Sequence, residues 1–90
     1  CSSLKTVTIN ENSQLTTISS FAFNGCGSLT SIFIPNNVTT IAYRAFYNCY
    51  NLTIYCEASS RPSGWYSTWN VDNRPVVWNC TYDEYLETIA

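Results

Sequence analysis

Residues 1–25, CSSLKTVTINENSQLTTISSFAFNG, and residues 26–48, CGSLTSIFIPNNVTTIAYRAFYN, are one pattern written twice. With two extra residues allowed after Ile9 and that variable turn set aside, nine of twenty aligned positions are identical. Cys1, Cys26 and Cys49 each stand three positions before a leucine, at Leu4, Leu29 and Leu52. The apolar positions match in order: Leu4, Val7 and Ile9 with Leu29, Ile32 and Ile34, then Leu15 and Ile18 with Val38 and Ile41, then Ala22 and Phe23 with Ala45 and Phe46. Self-similarity at a period of roughly 20–50 residues marks a stacked repeat.

Each copy offers an apolar strand rich in Val, Ile and Thr, a turn, a second short strand and an A-F corner. Asn12 with Ser13, and Pro35 with Asn36 and Asn37, supply the turn chemistry. One such unit cannot bury its apolar edge, but stacked units can, each Leu or Ile resting on its counterpart one unit away. The expected architecture is therefore a mostly β solenoid of short parallel strands with short helical turns. The third unit, from Cys49, is one residue shorter, which puts Ile54 in the place of Ile32 and Cys56 in that of Ile34. It then changes to SSRPSGWYSTWNVDNRPVVWNC (59–80), where all three tryptophans fall. This predicts a terminal coil with an aromatic cap that shields the last core layer. Residues 81–90, TYDEYLETIA, place Tyr82, Tyr85, Leu86 and Ile89 at helical spacing, and Thr81 with Glu84 forms a T-x-x-E capping box. A short C-terminal helix follows. The organisation expected is one domain: coil 1 over 1–25, coil 2 over 26–48, a modified terminal coil and cap over 49–80, and a helical tail over 81–90.

The pattern C-x-x-L-x-x-[VI]-x-I, continued by T-x-I-x-x-x-A-F-x-x-C, resembles the BspA-like leucine-rich repeats of bacterial surface proteins and some parasitic protists. Residues 51–80 are similar to the coil that closes such arrays. Two positions depart from the family pattern: Ser19 and Ala42 stand where Gly is usual after the second strand, and Asn10 replaces the proline seen at Pro35. The resemblance implies a leucine-rich-repeat solenoid at the cell surface or secreted, engaging other proteins (host or cell-surface ligands), with no catalytic residues to carry over.

The composition agrees with a binding or structural role. Charged residues are 11% of the chain, against about 25% in an average soluble domain. The net charge is −2 and there is no basic run, which argues against nucleic acid as a partner. No apolar run approaches the ~20 residues of a membrane span, so membrane insertion is not expected. The chain has no histidine and no C-x-x-C pair, so neither a metal centre nor a base-activated nucleophile is expected, and no cofactor is implied. A carboxylate pair drawn from Glu57, Asp72 and the tail acids is the main remaining enzymatic reading, and solvated surface acids explain those residues better. Cys1, Cys26 and Cys49 read as small buried side chains stacked in a row. Cys56 and Cys80 are candidates to pair across the cap, but five cysteines is an odd count for a disulfide framework. Sequons occur at Asn37, Asn51 and Asn79.

Two surfaces stand out. Residues alternating with the core positions of the first strand form outward rows, Thr6, Ser31 and Thr53 beside Thr8, Phe33 and Tyr55. An exposed Phe33–Tyr55 pair is the candidate protein-binding face, and sheet-stabilising stacking is the alternative. Trp65, Tyr66, Trp69 and Trp78 form either a hydrophobic lid or a platform for a sugar ring. Arg61 and Arg74 are expected to pack across these rings or to pair with Asp72. With no N-terminal cap visible, Leu4, Val7, Ile9 and Phe23 are expected to form an open edge. That edge calls for preceding repeats or for self-association through the first coil.

Overall fold

The computed structural model describes residues 5–9 and 13–89. Six short strands and one helix follow in order: β1 (Thr6–Thr8), β2 (Thr17–Ile18), β3 (Ser31–Ile34), β4 (Thr40–Ile41), β5 (Thr53–Cys56), β6 (Val76–Val77) and α1 (Tyr82–Ile89). Strands β1, β3, β5 and β6 form one parallel sheet in that order, and β2 pairs with β4 in a second. The registers follow the aligned repeats. Val7 lies opposite Ile32, Ile32 opposite Ile54 and Ile34 opposite Cys56, while Thr17 and Ile18 face Thr40 and Ile41. A single parallel bridge from Ile41 to Trp65 carries the second ladder one unit further.

Side chains from both sheets meet in one core. Leu29, Ile32, Val38, Ile41, Phe46, Leu52 and Ile54 are all buried there, with Trp65 and Trp69 closing it. At the opposite edge Ile9 is buried, and Val7 and Phe23 are half-buried against the same core. Phe23 lies flat on Phe46 at 5.4 Å. Among the described residues β1 ends its sheet at that edge, where Val7 and Phe23 keep part of their surface open; Leu4 is outside the described residues.

The corners repeat as faithfully as the strands. Gly25 (φ 76) and Asn48 (φ 63) hold aligned positions in the left-handed region, where Gly and Asn are the usual residues. Phe21 (φ 57) and Arg44 (φ 53) are also aligned with each other, and there a bulky side chain carries a strained backbone.

Polar side chains tie unit to unit. Asn37 Nδ2 donates to the Ser13 carbonyl and Asn51 Nδ2 to that of Gly27, each at 2.9 Å. The Asn36 and Asn48 backbone N–H groups donate to Glu57 (2.8 Å) and Asp72 (2.7 Å). Arg74 Nε reaches the Leu52 carbonyl at 3.0 Å and Trp65 Nε1 that of Val38 at 3.1 Å. Every side chain–backbone hydrogen bond of this range among the described residues joins a later side chain to an earlier backbone.

The cysteines correct one expectation and answer one open question. Cys26 is buried but disulfide-bonded, so the row through Cys26 and Cys49 is not one of free thiols, and Cys1 is outside the described residues. Cys56 and Cys80 do not pair: both are free, although the Cys80 N–H donates to the Cys56 carbonyl at 2.9 Å. Cys56 belongs to the main core, whereas Cys80 packs with Phe33 and Tyr85 in a second cluster. Burial, with a smaller contribution from Cys80, pushes the Cys56 thiol up to about 12.

Helix α1 forms where the T-x-x-E box predicts. The Thr81 N–H donates to Glu84 Oε1 (2.9 Å), and the Glu84 N–H donates to Thr81 Oγ1 (3.1 Å). These reciprocal bonds satisfy donors that a helix start leaves open. Asp83 and Glu84 also place negative charge in the first turn, where the helix dipole favours it.

Candidate functional site

The two rows expected to point outward are in register along the backbone: Thr6, Ser31 and Thr53 in one, Thr8, Phe33 and Tyr55 in the other, with the side chains of Thr6 and Thr8 outside the described ones. Their surroundings differ from expectation. Phe33 is fully buried, Ser31 is buried, and Thr53 and Tyr55 are half-buried. The cover is α1. Tyr82 and Tyr85 each lie 5.4 Å from the Phe33 ring, and Tyr85 lies 5.2 Å from Tyr55. The Tyr85 hydroxyl shares a hydrogen bond with Ser31 Oγ at 3.2 Å. An exposed Phe33–Tyr55 pair is therefore not present in this structure, because the tail helix buries its own tyrosines against those two rings.

The tryptophan segment packs mostly inward. Trp65 and Trp69 are 2% and 5% exposed, their rings 4.8 Å apart, with half-buried Trp78 at about 6 Å from both. A sugar ring needs open aromatic faces, and of the four candidates only Tyr66 is exposed. Arg61 and Arg74 bond to the carbonyls of Trp65 and Leu52. Asp72 takes the Asn48 N–H instead of an arginine, because the turn backbone lies within its reach. Glu57 is likewise occupied with backbone, at Asn36.

A third surface was not singled out in the sequence. Phe21, Tyr43 and Tyr66, one from each successive unit, form a row with ring centroids 5.6 and 5.7 Å apart, the first pair T-shaped and the second tilted. They are 39%, 44% and 57% exposed. Tyr47 joins at 6.2 Å from Phe21, and the Arg44 guanidinium sits over the Tyr47 ring at 5.3 Å. The alignment hides this row, since Phe21 is the counterpart of Arg44 and Tyr43 that of Ser20. The available signal is the density of aromatic residues following each second strand.

Near the first turns an open groove is lined by Ser13, Gln14, Thr16, Asn36, Asn37 and Thr39, all neutral. Among the described residues no three His, Cys, Asp or Glu side chains converge as metal ligands would, and no helix is long and apolar enough to cross a membrane.

No curated protein and no solved structure matches the chain. A family model does: that of the BspA type leucine rich repeat region (6 copies) matches residues 1–60. Two thirds of the sequence is thus accounted for, with the parallel strand registers of the same stretch in agreement. This chain belongs to the BspA-type leucine-rich-repeat family.

Proposed function

We propose that this chain is a non-enzymatic protein-binding module of a cell-surface or secreted protein, its repeats wound as a solenoid and capped by the tryptophan layer. The observation that carries the reading is the exposed row Phe21–Tyr43–Tyr66. Aromatic residues and arginine are enriched where proteins bind one another, the aromatics because they bury large areas at low entropic cost. Here three units each contribute one ring, with Tyr47 and Arg44 alongside. Repeats of this family commonly mediate protein–protein or surface contacts, which fits adhesion to host or cell-surface ligands.

The test uses the full chain against a panel of purified, immobilised extracellular proteins, measured by biolayer interferometry. The comparison is a Phe21→Asn/Tyr43→Ser/Tyr66→Ser variant, with Asn chosen because it tolerates the left-handed backbone at Phe21. Saturable binding by the parent, weakened roughly tenfold or more in a variant of unchanged melting temperature, is expected. Equal binding by both chains overturns the assignment to this row. No saturable binding to any panel member favours a spacer or array cap, and binding lost when the ligand is deglycosylated favours carbohydrate recognition.

A further inference from the structure

Helix α1 is fastened differently from every strand. The strands are joined by backbone ladders. Among the described residues, α1 is held to the sheet by side chains: three aromatic contacts from Tyr82 and Tyr85, and the Tyr85–Ser31 hydrogen bond. The last backbone bonds to the sheet region come before it, from Asn79 to Ala58 and from Cys80 to Cys56. The described residues of α1 make no backbone bond to the sheet, so its place there rests on those side-chain contacts.

The surface beneath α1 is complete without it. Strand β3 lies between β1 and β5, and β5 between β3 and β6, so lifting the helix breaks no ladder. Nor does α1 cover the whole outward row. Val77 lies in register with Tyr55 on the next strand and is 41% exposed, and Tyr55 itself is half-buried. Leu86 and Ile89 of α1 are also exposed, which leaves the two tyrosines as the anchors. A partner helix on the same row that also covered Val77 would bury apolar surface that α1 leaves open, and burial of that kind drives association.

The geometry points to α1 as a displaceable strap on a helix-receiving face, whose occupant is a partner protein's amphipathic helix presenting aromatic side chains at positions i and i+3. The strap displays the chemistry that fits: rings against Phe33 and Tyr55, and a phenol hydroxyl for Ser31. Recognition of a helix through anchors at i and i+3 is a common mode of peptide binding. None of Phe21, Tyr43 and Tyr66 takes part, so this site stands or falls separately from the exposed row.

Two measurements on the full chain decide it. In hydrogen exchange read by mass spectrometry, α1 amides are expected to exchange about a hundredfold faster than those of β3 and β5, the sign of opening without global unfolding. Protection of α1 equal to that of the strands overturns the strap. The second probe is a fluorescein-labelled peptide of residues 81–90 with Glu87→Lys, locked helical by a lactam between Asp83 and that lysine. It is expected to bind a Tyr82→Ala/Tyr85→Ala chain saturably and the parent roughly tenfold more weakly, and a peptide with both tyrosines changed to alanine is expected not to bind. Failure to bind the vacated, folded chain, or equal binding to the parent, overturns the docking face. If the vacated chain does not fold, α1 is part of the core and the strap is likewise refuted.

Discussion

Trp65 closes the core, and replacing it tests the cap quantitatively. Its indole is 2% exposed, stacked with Trp78 and edge-on to Trp69, and its Nε1–H donates to the buried Val38 carbonyl. Trp65→Ala removes roughly 150 Å² of buried apolar surface, worth about 4 kcal/mol. Losing the Trp65 hydrogen bond at the Val38 carbonyl adds about 1 kcal/mol. A chain of this length is expected to have roughly 5–13 kcal/mol of stability in all, so the alanine variant loses a large part of it. Trp65→Phe keeps most of the apolar contact but loses the donor and part of the volume. We expect it to lose about 2 kcal/mol, with a fall in melting temperature of roughly 10 °C. Urea unfolding followed by far-UV circular dichroism reads both variants without relying on the altered tryptophan fluorescence. A Trp65→Phe loss below about 0.5 kcal/mol would falsify the view that this indole and its hydrogen bond close the last core layer.

Three further outcomes are expected. A Cβ on Gly64 would fall onto the Thr39 carbonyl, so Gly64→Ala should cost about 1–3 kcal/mol in urea unfolding, and a neutral result would mean that the two turns are not in contact. With its thiol pushed up to about 12, Cys56 should resist a maleimide at pH 8 until urea unfolds the chain. The raised value also means that its stabilising effect is complete below the ordinary thiol range and fades as pH rises towards 12; labelling of Cys56 in the folded chain contradicts its place in the core. Glu84 is held below the ordinary carboxyl range by the Thr81 backbone and side-chain bonds, so its contribution is present above that range and lost as pH falls through its own lowered value. Helical signal from α1 should therefore weaken in acid, and less so in a Thr81→Ala chain that already lacks half of the box.

Much of the fold can be read by aligning 1–25 with 26–48, because parallel stacking converts repeat spacing directly into strand register. Val7 opposite Ile32, and Ile32 opposite Ile54, need no other information. The strand at Val76–Val77 is harder to see: no repeat partner announces it, and only two β-branched residues after Pro75 hint at it. The tail presents a different limit. Helical spacing shows that Tyr82, Tyr85, Leu86 and Ile89 share a stripe, but periodicity says nothing about which surface meets it. Once α1 lies on β3, an outward row that reads as exposed becomes the floor of a second small core. The row Phe21–Tyr43–Tyr66 escapes for the opposite reason, since its rings come from positions that are not counterparts in the repeat.

Among the described residues the backbone bonds between units run both ways, but the side chain–backbone bonds run one way only, and that bears on how the chain is made. Ser13, Gly27, Val38 and Leu52 carbonyls all wait for side chains that come later in the sequence, on Asn37, Asn51, Trp65 and Arg74. A protein synthesised from its N-terminus, or threaded through a pore in that direction, thus exposes each unit with its backbone still unsatisfied until the next one emerges and completes it. Assembly then proceeds like a zipper drawn from the first residue to the last, and the tryptophan layer, arriving late, completes the final tooth.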